Sequence, residues 1–308
     1  MVLSQNTIWF ERFPFGLFAN ACFQIIYAEY LKNNGFQVFF GGDRLRQKGK
    51  LILDLFNLPI NDSLKSSGQV MFLGEGKDRA QGPSHSINLI NQHFKKNPGS
   101  ILSIEGYFQF DTASIRSDPN YNKAFNQNFA LGQEINNKFQ GILNKYNNKI
   151  RAAHEYLITI HVRRGDYVRY STLKDWQHKV FYILDLEVAL AKLQEYLSVN
   201  RISKYSIYVA TDDLDFCKNF FLKNNINILT CEDFIDDEVC DNLLVDLAAM
   251  TAANMLIASN SSMSLLGAMI NNRGRVFWRQ NLEGSFVSFD PWSTPILLGP
   301  VFGSNELI

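Results

Sequence analysis

Residues 158–170, ITIHVRRGDYVRY, run from a strand-like apolar stretch into a dense packet of charge. Arg163 and Arg164 are permanently charged, and each presents a planar fork of donors that matches phosphate oxygens. Asp166 can hold one guanidinium while the other meets a ligand, and His161 sits beside them near the strand's end. Three readings fit these residues: an anion site, a structural cluster of ion pairs, and an exposed adhesive Arg-Gly-Asp. Adhesion needs a flexible loop, whereas this tripeptide follows an apolar strand directly, so it ranks last.

A second packet lies at residues 256–270, LIASNSSMSLLGAMI, where an apolar strand meets Ser259, Asn260, Ser261 and Ser262 and then an apolar helix. Free N–H groups at a helix start, with serine hydroxyls beside them, bind anions without formal charge. Taken alone, Ser261 or Ser262 is a helix cap. Paired with two arginines at another strand end, it becomes half of a diphosphate site. A third packet, VATDDLDF at 209–216, contains a D-x-D (Asp213, Asp215) that a metal-bound nucleotide sugar would suit. Carboxylates also favour helix N-termini on electrostatic grounds, and the cap reading of Asp212, Asp213 and Asp215 is preferred here. The five histidines show no metal-ligand spacing, so no metal site is expected. No G-x-G-x-x-G or P-loop accompanies these packets.

The elements that must position these residues alternate strand and helix from Tyr156 onward. The pattern predicts strands at YLITIHV, YSIYVAT, INILT and MLIAS, with RVFW as the last, and helices at FYILDLEVALAKLQEYL, LDFCKNFFLKN, DNLLVDLAAMTAAN and SSMSLLGAMINN. Such alternation implies βαβ units and a parallel sheet, which binds ligands outside the carboxyl ends of its strands. The first half is richer in Gly, Asn, Ser and Phe. It carries a predicted helix over 19–35, a predicted surface loop over 66–86, and a polar helical stretch over about 124–148 that connects two domains, 1–150 and 151–308. The acidic run from Glu232 to Asp241 reads as a solvated loop.

The bulk composition bounds the partners. Lys plus Arg equals Asp plus Glu at 30 each, so no long-range field gathers nucleic acid, and any bound anion is met locally. The four cysteines lack CxxC spacing and read as free thiols of a reducing compartment. No secretion signal and no apolar run of about 18 residues is visible, so no integral membrane segment is expected, and the chain reads as cytoplasmic or peripheral to a membrane.

HVRRGDYV, with SNSSMSLLGA, EGYFQ (105–109) and GLFANACFQ (16–24), resembles in order and spacing the motifs of the α-1,2-fucosyltransferases of glycosyltransferase family 11 and, more distantly, the α-1,6 and protein O-fucosyltransferases. The resemblance implies an α/β, GT-B-like fold, with two Rossmann-like domains facing a cleft and the parallel sheet of the second holding the nucleotide. It implies an inverting, metal-independent transfer of fucose from GDP-L-fucose to a glycan hydroxyl, the 2-OH of a galactoside, with no cofactor. By position it implies Arg163 as the catalytic contact on the diphosphate and His161, Arg164, Asp166, Ser261, Ser262 and Asn20 in donor binding. Asp246 would face guanine, and Tyr107 and Gln109 the acceptor. Ala19 and Ala21 stand where the family has Gly and Gln, and Leu265 and Leu266 replace paired tryptophans. The residues alone leave open a transferase of the same architecture using another nucleotide sugar, and a non-catalytic nucleotide- or glycan-binding protein. The general base is unassigned among Glu105, Asp111 and Glu11.

Overall fold

The computed structural model describes residues 6–13, 18–42, 45, 49–64, 70–73, 77–110, 112–132, 135–172, 182–235, 241–271, 276–281 and 283–292. The chain divides into two compact units, one up to Gln140 and joined by Trp292, the other Gly141–Pro291.

The first unit contains β1 (Thr7–Phe10), α1 (Phe18–Asn33), β2 (Gln37–Phe40), α2 (Lys50–Leu55), β3 (Val70–Phe72), α3 (Lys77–Lys96), β4 (Ile101–Glu105), α4 (Thr112–Arg116) and α5 (Pro119–Phe129). Its four strands are all parallel, in the order β2-β1-β4-β3. Aromatic rings fill its core: Phe10 stacks on Phe40 at 5.1 Å and Tyr27 on Phe108 at 4.6 Å between centroids. Twelve residues of α1 are buried, which is why its apolar positions run nearly all round rather than along one stripe.

Two expectations for this half are corrected. The segment 66–86 is not one surface loop. It contains β3 and the start of α3, kinked at Gly82 before Pro83. Because β3 is an edge strand with Val70 and Phe72 exposed, it lacks the apolar signature of a buried strand. The polar stretch over 124–148 is two helices, not one. α5 begins at Asp118, whose carboxylate accepts from the Asn120 and Tyr121 N–H groups, and stops at Ala130 in extended conformation. α6 (Lys138–Ala153) follows and docks on the second unit's interior, where Asn147 donates to Thr251 Oγ1 at 2.8 Å.

The second unit continues with β5 (Leu157–Val162), α7 (Gly165–Tyr170), α8 (Leu186–Val199), β6 (Ser206–Thr211), α9 (Leu214–Lys223), α10 (Asn242–Ala252), β7 (Met255–Ala258), α11 (Ser262–Ile270), β8 (Val276–Gln280) and β9 (Phe286–Ser288). The sheet order is β6-β5-β7-β8-β9, with the first four strands parallel and β9 antiparallel at the edge. All six residues of β5 are buried, as expected of a central parallel strand covered on both faces. Ile158, Ile160, Val162, Met255, Ile257 and Trp278 face one apolar core together with Leu190, Leu193 and Leu197 of α8. RVFW is therefore not the last strand. INILT forms no strand: only Leu229 bridges to Tyr208, so the sheet ends at β6. The acidic run is partly a 3-10 turn at Cys231–Asp233, and residues 236–240 lie outside the described residues. Cys22, Cys217 and Cys231 are free thiols; Cys240 lies outside the described residues.

Gly106 follows β4 at φ 148, and a Cβ there would stand 1.8 Å from the Leu73 carbonyl oxygen. Backbone cannot yield to that contact as a side-chain tip could. Gly106→Ala is expected to lower unfolding free energy by at least about 2 kcal/mol, read as a lower denaturant midpoint; an unchanged midpoint would contradict the close approach.

Candidate functional site

The carboxyl ends of β5, β6, β7 and β8 share one edge of the second unit's sheet because these strands run parallel. Arg163 and Arg164 leave β5 there. The Arg163 guanidinium donates through Nη2 to Asp166 Oδ1 at 2.7 Å and through Nη1 to Asp212 Oδ2 at 2.6 Å. Arg164 donates through Nε to Asp213 Oδ2 at 3.0 Å, and its guanidinium lies 3.5 Å from the Phe216 ring centroid. Its side chain is only 20% exposed, which ends the adhesive reading.

Asp212 was visible in the sequence only as a possible helix cap, and the structure gives it a larger part. It pairs with Arg163, accepts from the Arg164 backbone N–H at 2.8 Å, and lies under Gly165, where a Cβ would approach its Oδ2 to 2.4 Å. The Gly of the Arg-Arg-Gly-Asp run is thus required by a side chain 47 residues away in sequence, at the end of another strand. Asp213 is the N-cap of α9, accepting from Phe216 N–H, in agreement with the cap reading. Thr211, not singled out beforehand, ties this corner: it donates to Val162 O at 2.8 Å and accepts from Asp213 N–H at 3.0 Å.

The serine packet is joined to the arginines by two buried links. The Tyr167 hydroxyl donates to Asn260 O at 2.7 Å. His161 Nδ1 lies 2.5 Å from Ser264 Oγ and 2.9 Å from Ser259 Oγ. Burial holds the imidazole down to about 4, with Asp212 raising it and Arg163 lowering it, so His161 is neutral at physiological pH. It positions α11 against β5. Ser261 is the N-cap of α11, accepting from Met263 N–H at 3.2 Å, and Ser262 is the first helical residue, half-exposed. The helix start, with its unsatisfied N–H groups, opens on the same sheet edge as the arginines.

Asp246 on α10 is buried and already used within the fold: Tyr208 donates to Oδ1 at 2.7 Å and Thr211 N–H to Oδ2 at 3.1 Å. Burial nevertheless pushes its carboxyl up to about 7, with those two donors pulling the other way and Asp212 and Asp241 adding to the rise.

Three expected residues gather in the first unit. Gln109 Nε2 donates to Asn20 Oδ1 at 2.6 Å, joining the 16–24 and 105–109 motifs, and Tyr107 is half-buried two residues earlier. Gln24 Nε2 donates to Arg12 O at 3.0 Å, and Arg12 forms an ion pair with buried Glu105. Of the base candidates, Glu105 is therefore engaged with Arg12, Glu11 is half-buried beside Gly42, and Asp111 lies outside the described residues. Among the described residues, no group of His, Cys, Asp or Glu is arranged to hold a metal ion, and no helix is long and apolar enough to cross a membrane.

Residues 100–281 match the family described as Glycosyl transferase family 11. Among solved structures, the chain resembles the fucosyltransferase NodZ from Bradyrhizobium with a TM-score of 0.50 at 12% identity, over 94% of this chain and 100% of that one. It resembles NodZ alpha-1,6-fucosyltransferase co-crystallized with GDP with a TM-score of 0.51 at 12% identity, over 93% and 99%. At that identity the likeness is one of fold: α/β with parallel sheets, of the GT-B-like kind. No curated protein matches the sequence.

The His161 ring binds a proton less readily in the fold than in the unfolded chain, whose value is near 6.5. The stability its neutral form contributes is complete above about pH 6.5 and is lost as pH falls towards 4. Asp246 acts oppositely, since its raised value makes the fold bind a proton the unfolded chain gives up. In wild type the two slopes offset each other. His161→Gln removes one of them, so the variant's stability deficit at about pH 7 is expected to shrink by about 2 kcal/mol at about pH 4.5. Chemical denaturation at the two values checks this; an unchanged deficit would mean that the buried ring is protonated.

Proposed function

The chain belongs to glycosyl transferase family 11, and from that premise we propose that it is an inverting, metal-independent fucosyltransferase moving L-fucose from GDP-L-fucose to a glycan hydroxyl, the 2-OH of a galactoside. The observation that carries the reading is the pairing, on one sheet edge, of Arg163 and Arg164 with the α11 N-terminus, linked by the buried Tyr167–Asn260 hydrogen bond. Guanidiniums supply charge and helix-start amides supply donors, and a diphosphate requires both.

In the transfer, the acceptor hydroxyl oxygen attacks the fucose anomeric carbon as the bond from that carbon to the β-phosphate oxygen breaks. The bonding pair leaves on the diphosphate, and the hydroxyl proton passes to a base. Arg163, Arg164 and the Ser262 N–H at the start of α11 stabilise the charge that grows on the leaving group, which is the part a divalent cation plays elsewhere. Asp166 and Asp212 hold Arg163 in place before the ligand arrives, so little reorganisation remains. Neutral His161 fixes the distance between the two halves of this grip and does not itself exchange a proton at neutral pH. Fucose as the sugar and the α-1,2 linkage rest on the HVRRGDY and SNSS motifs. NodZ, among the solved structures the chain resembles, is an alpha-1,6-fucosyltransferase, so the assay that tests the reading also determines the linkage of the product.

GDP release from GDP-fucose, assayed with EDTA and a panel of galactosides, should rise with an acceptor, persist in chelator, and fall at least about 100-fold in Arg163→Ala. Loss of turnover in EDTA would overturn metal independence, and turnover of a different nucleotide sugar would replace fucose as the donor. Asp246 gives a second test. If its carboxylate accepts the guanine N1–H and N2–H groups, it must ionise on binding. Guanosine, which carries no phosphate to titrate, should then bind about tenfold more tightly at pH 8 than at pH 6. A flat profile would confine Asp246 to its bonds with Tyr208 and Thr211.

A further inference from the structure

Arg279 is the penultimate residue of β8 and belongs to none of the motifs above. Register places it opposite Ala258, one strand beyond the residue that leads into Ser259–Ser262. Ile160, Ile257 and Trp278 form one cross-strand row and face the apolar core. Side chains alternate along each strand, so the next row, His161, Ala258 and Arg279, projects from the opposite face. That is the face on which Ser264 of α11 meets His161. Ala258, between His161 and Arg279 in that row, carries only a methyl group.

The state of this guanidinium is unusual. Arg279 is only 6% exposed, and its buried Nε has no hydrogen-bond partner among the described residues. The neighbouring polar group that acts on it is Tyr182, whose hydroxyl donates elsewhere, to Gln280 O at 2.5 Å. A buried charge without a carboxylate is costly, and breaking such a pair destabilises a fold more than omitting it altogether. Charge around the other two arginines sharpens the point. Three carboxylates, Asp166, Asp212 and Asp213, contact Arg163 and Arg164, so the pair is outnumbered and by itself does not make the edge positive.

We propose that Arg279 is a third guanidinium of the donor site, completed by the diphosphate of the bound nucleotide sugar and approaching it from the side of α11 away from Arg163 and Arg164. The inference rests on the donor-site reading given above.

The test titrates GDP, inorganic pyrophosphate and guanosine into wild type, Arg279→Met, Arg279→Lys and Arg163→Ala, with thermal unfolding of each protein alone. Methionine keeps most of the stem and removes the charge. Arg279→Met is expected to bind GDP and pyrophosphate roughly 10- to 100-fold more weakly, to bind guanosine as wild type does, and to unfold alone at a temperature no lower than wild type. Arg279→Lys should fall between. Equal GDP affinity in wild type and Arg279→Met overturns the inference, as does a parallel loss of GDP and guanosine binding with a lowered unfolding temperature, which is what a structural arginine would give. If Arg163→Ala abolishes GDP binding while Arg279→Met leaves it, the donor site stands and this inference alone fails. A wild-type protein that binds neither GDP nor pyrophosphate overturns both.

Discussion

The second unit depends on one buried polar contact. His161 is the penultimate residue of a strand that is buried throughout, and its ring meets two serines, one just past β7 and one inside α11. In a dry interior a polar group left without a partner is expensive, so the three side chains specify one another. Through them, the distance from the β5 carboxyl end to the α11 N-terminus is set by the core rather than by the loops that carry the charges. Tyr167 adds a second tie of the same kind, from the helix after the arginines to the backbone before Ser261. The arrangement is stiff before any ligand is present, which is the condition for electrostatic stabilisation without reorganisation.

The arginines are held differently. Their carboxylate partners come from α7 and from the turn between β6 and α9, and Gly165 is small because Asp212 comes up beneath it. In the first unit the logic is again one of convergence, with Asn20 on α1 bonded to Gln109 after β4 and Gln24 reaching the Arg12 carbonyl. Motifs far apart in sequence thus meet as pairs within a unit, and their spacing along the chain reflects the helices and strands that separate them.

How far these features could be read without coordinates varies with how local their cause is. β5 was legible because a strand buried on both faces is mostly apolar, and the caps Asp213 and Ser261 because a helix start favours those residue types in the sequence itself. The β3 segment was hidden because an edge strand can expose its side chains and here sits among Gly, Ser and Gln. INILT misled in the opposite way: its apolar residues pack on the core but meet β6 at Leu229 alone, too little pairing to make a ladder. Asp212 and Arg279 matter only through register between strands, a property no window of sequence contains. The two helices in place of one polar stretch turned on Asp118 and Ala130, where a single cap and a single extended residue outweigh helical composition.

α11 is nine residues long, and its residues from Ser264 to Ile270 are buried. A peptide of that length would not hold a helix in water, because nucleation is unfavourable and few hydrogen bonds follow it. Its first turn exists as a donor surface only because its last two turns are packed, with Gly267 pressed so near Met250 that a Cβ would stand 2.8 Å from that residue's own. The apolar residues there touch no ligand, yet they supply the order on which the ligand relies. A weakened affinity in a variant of Leu266 or Met269 would therefore report a loosened anchor, and loss of binding at this end of the molecule is no measure of proximity to what is bound.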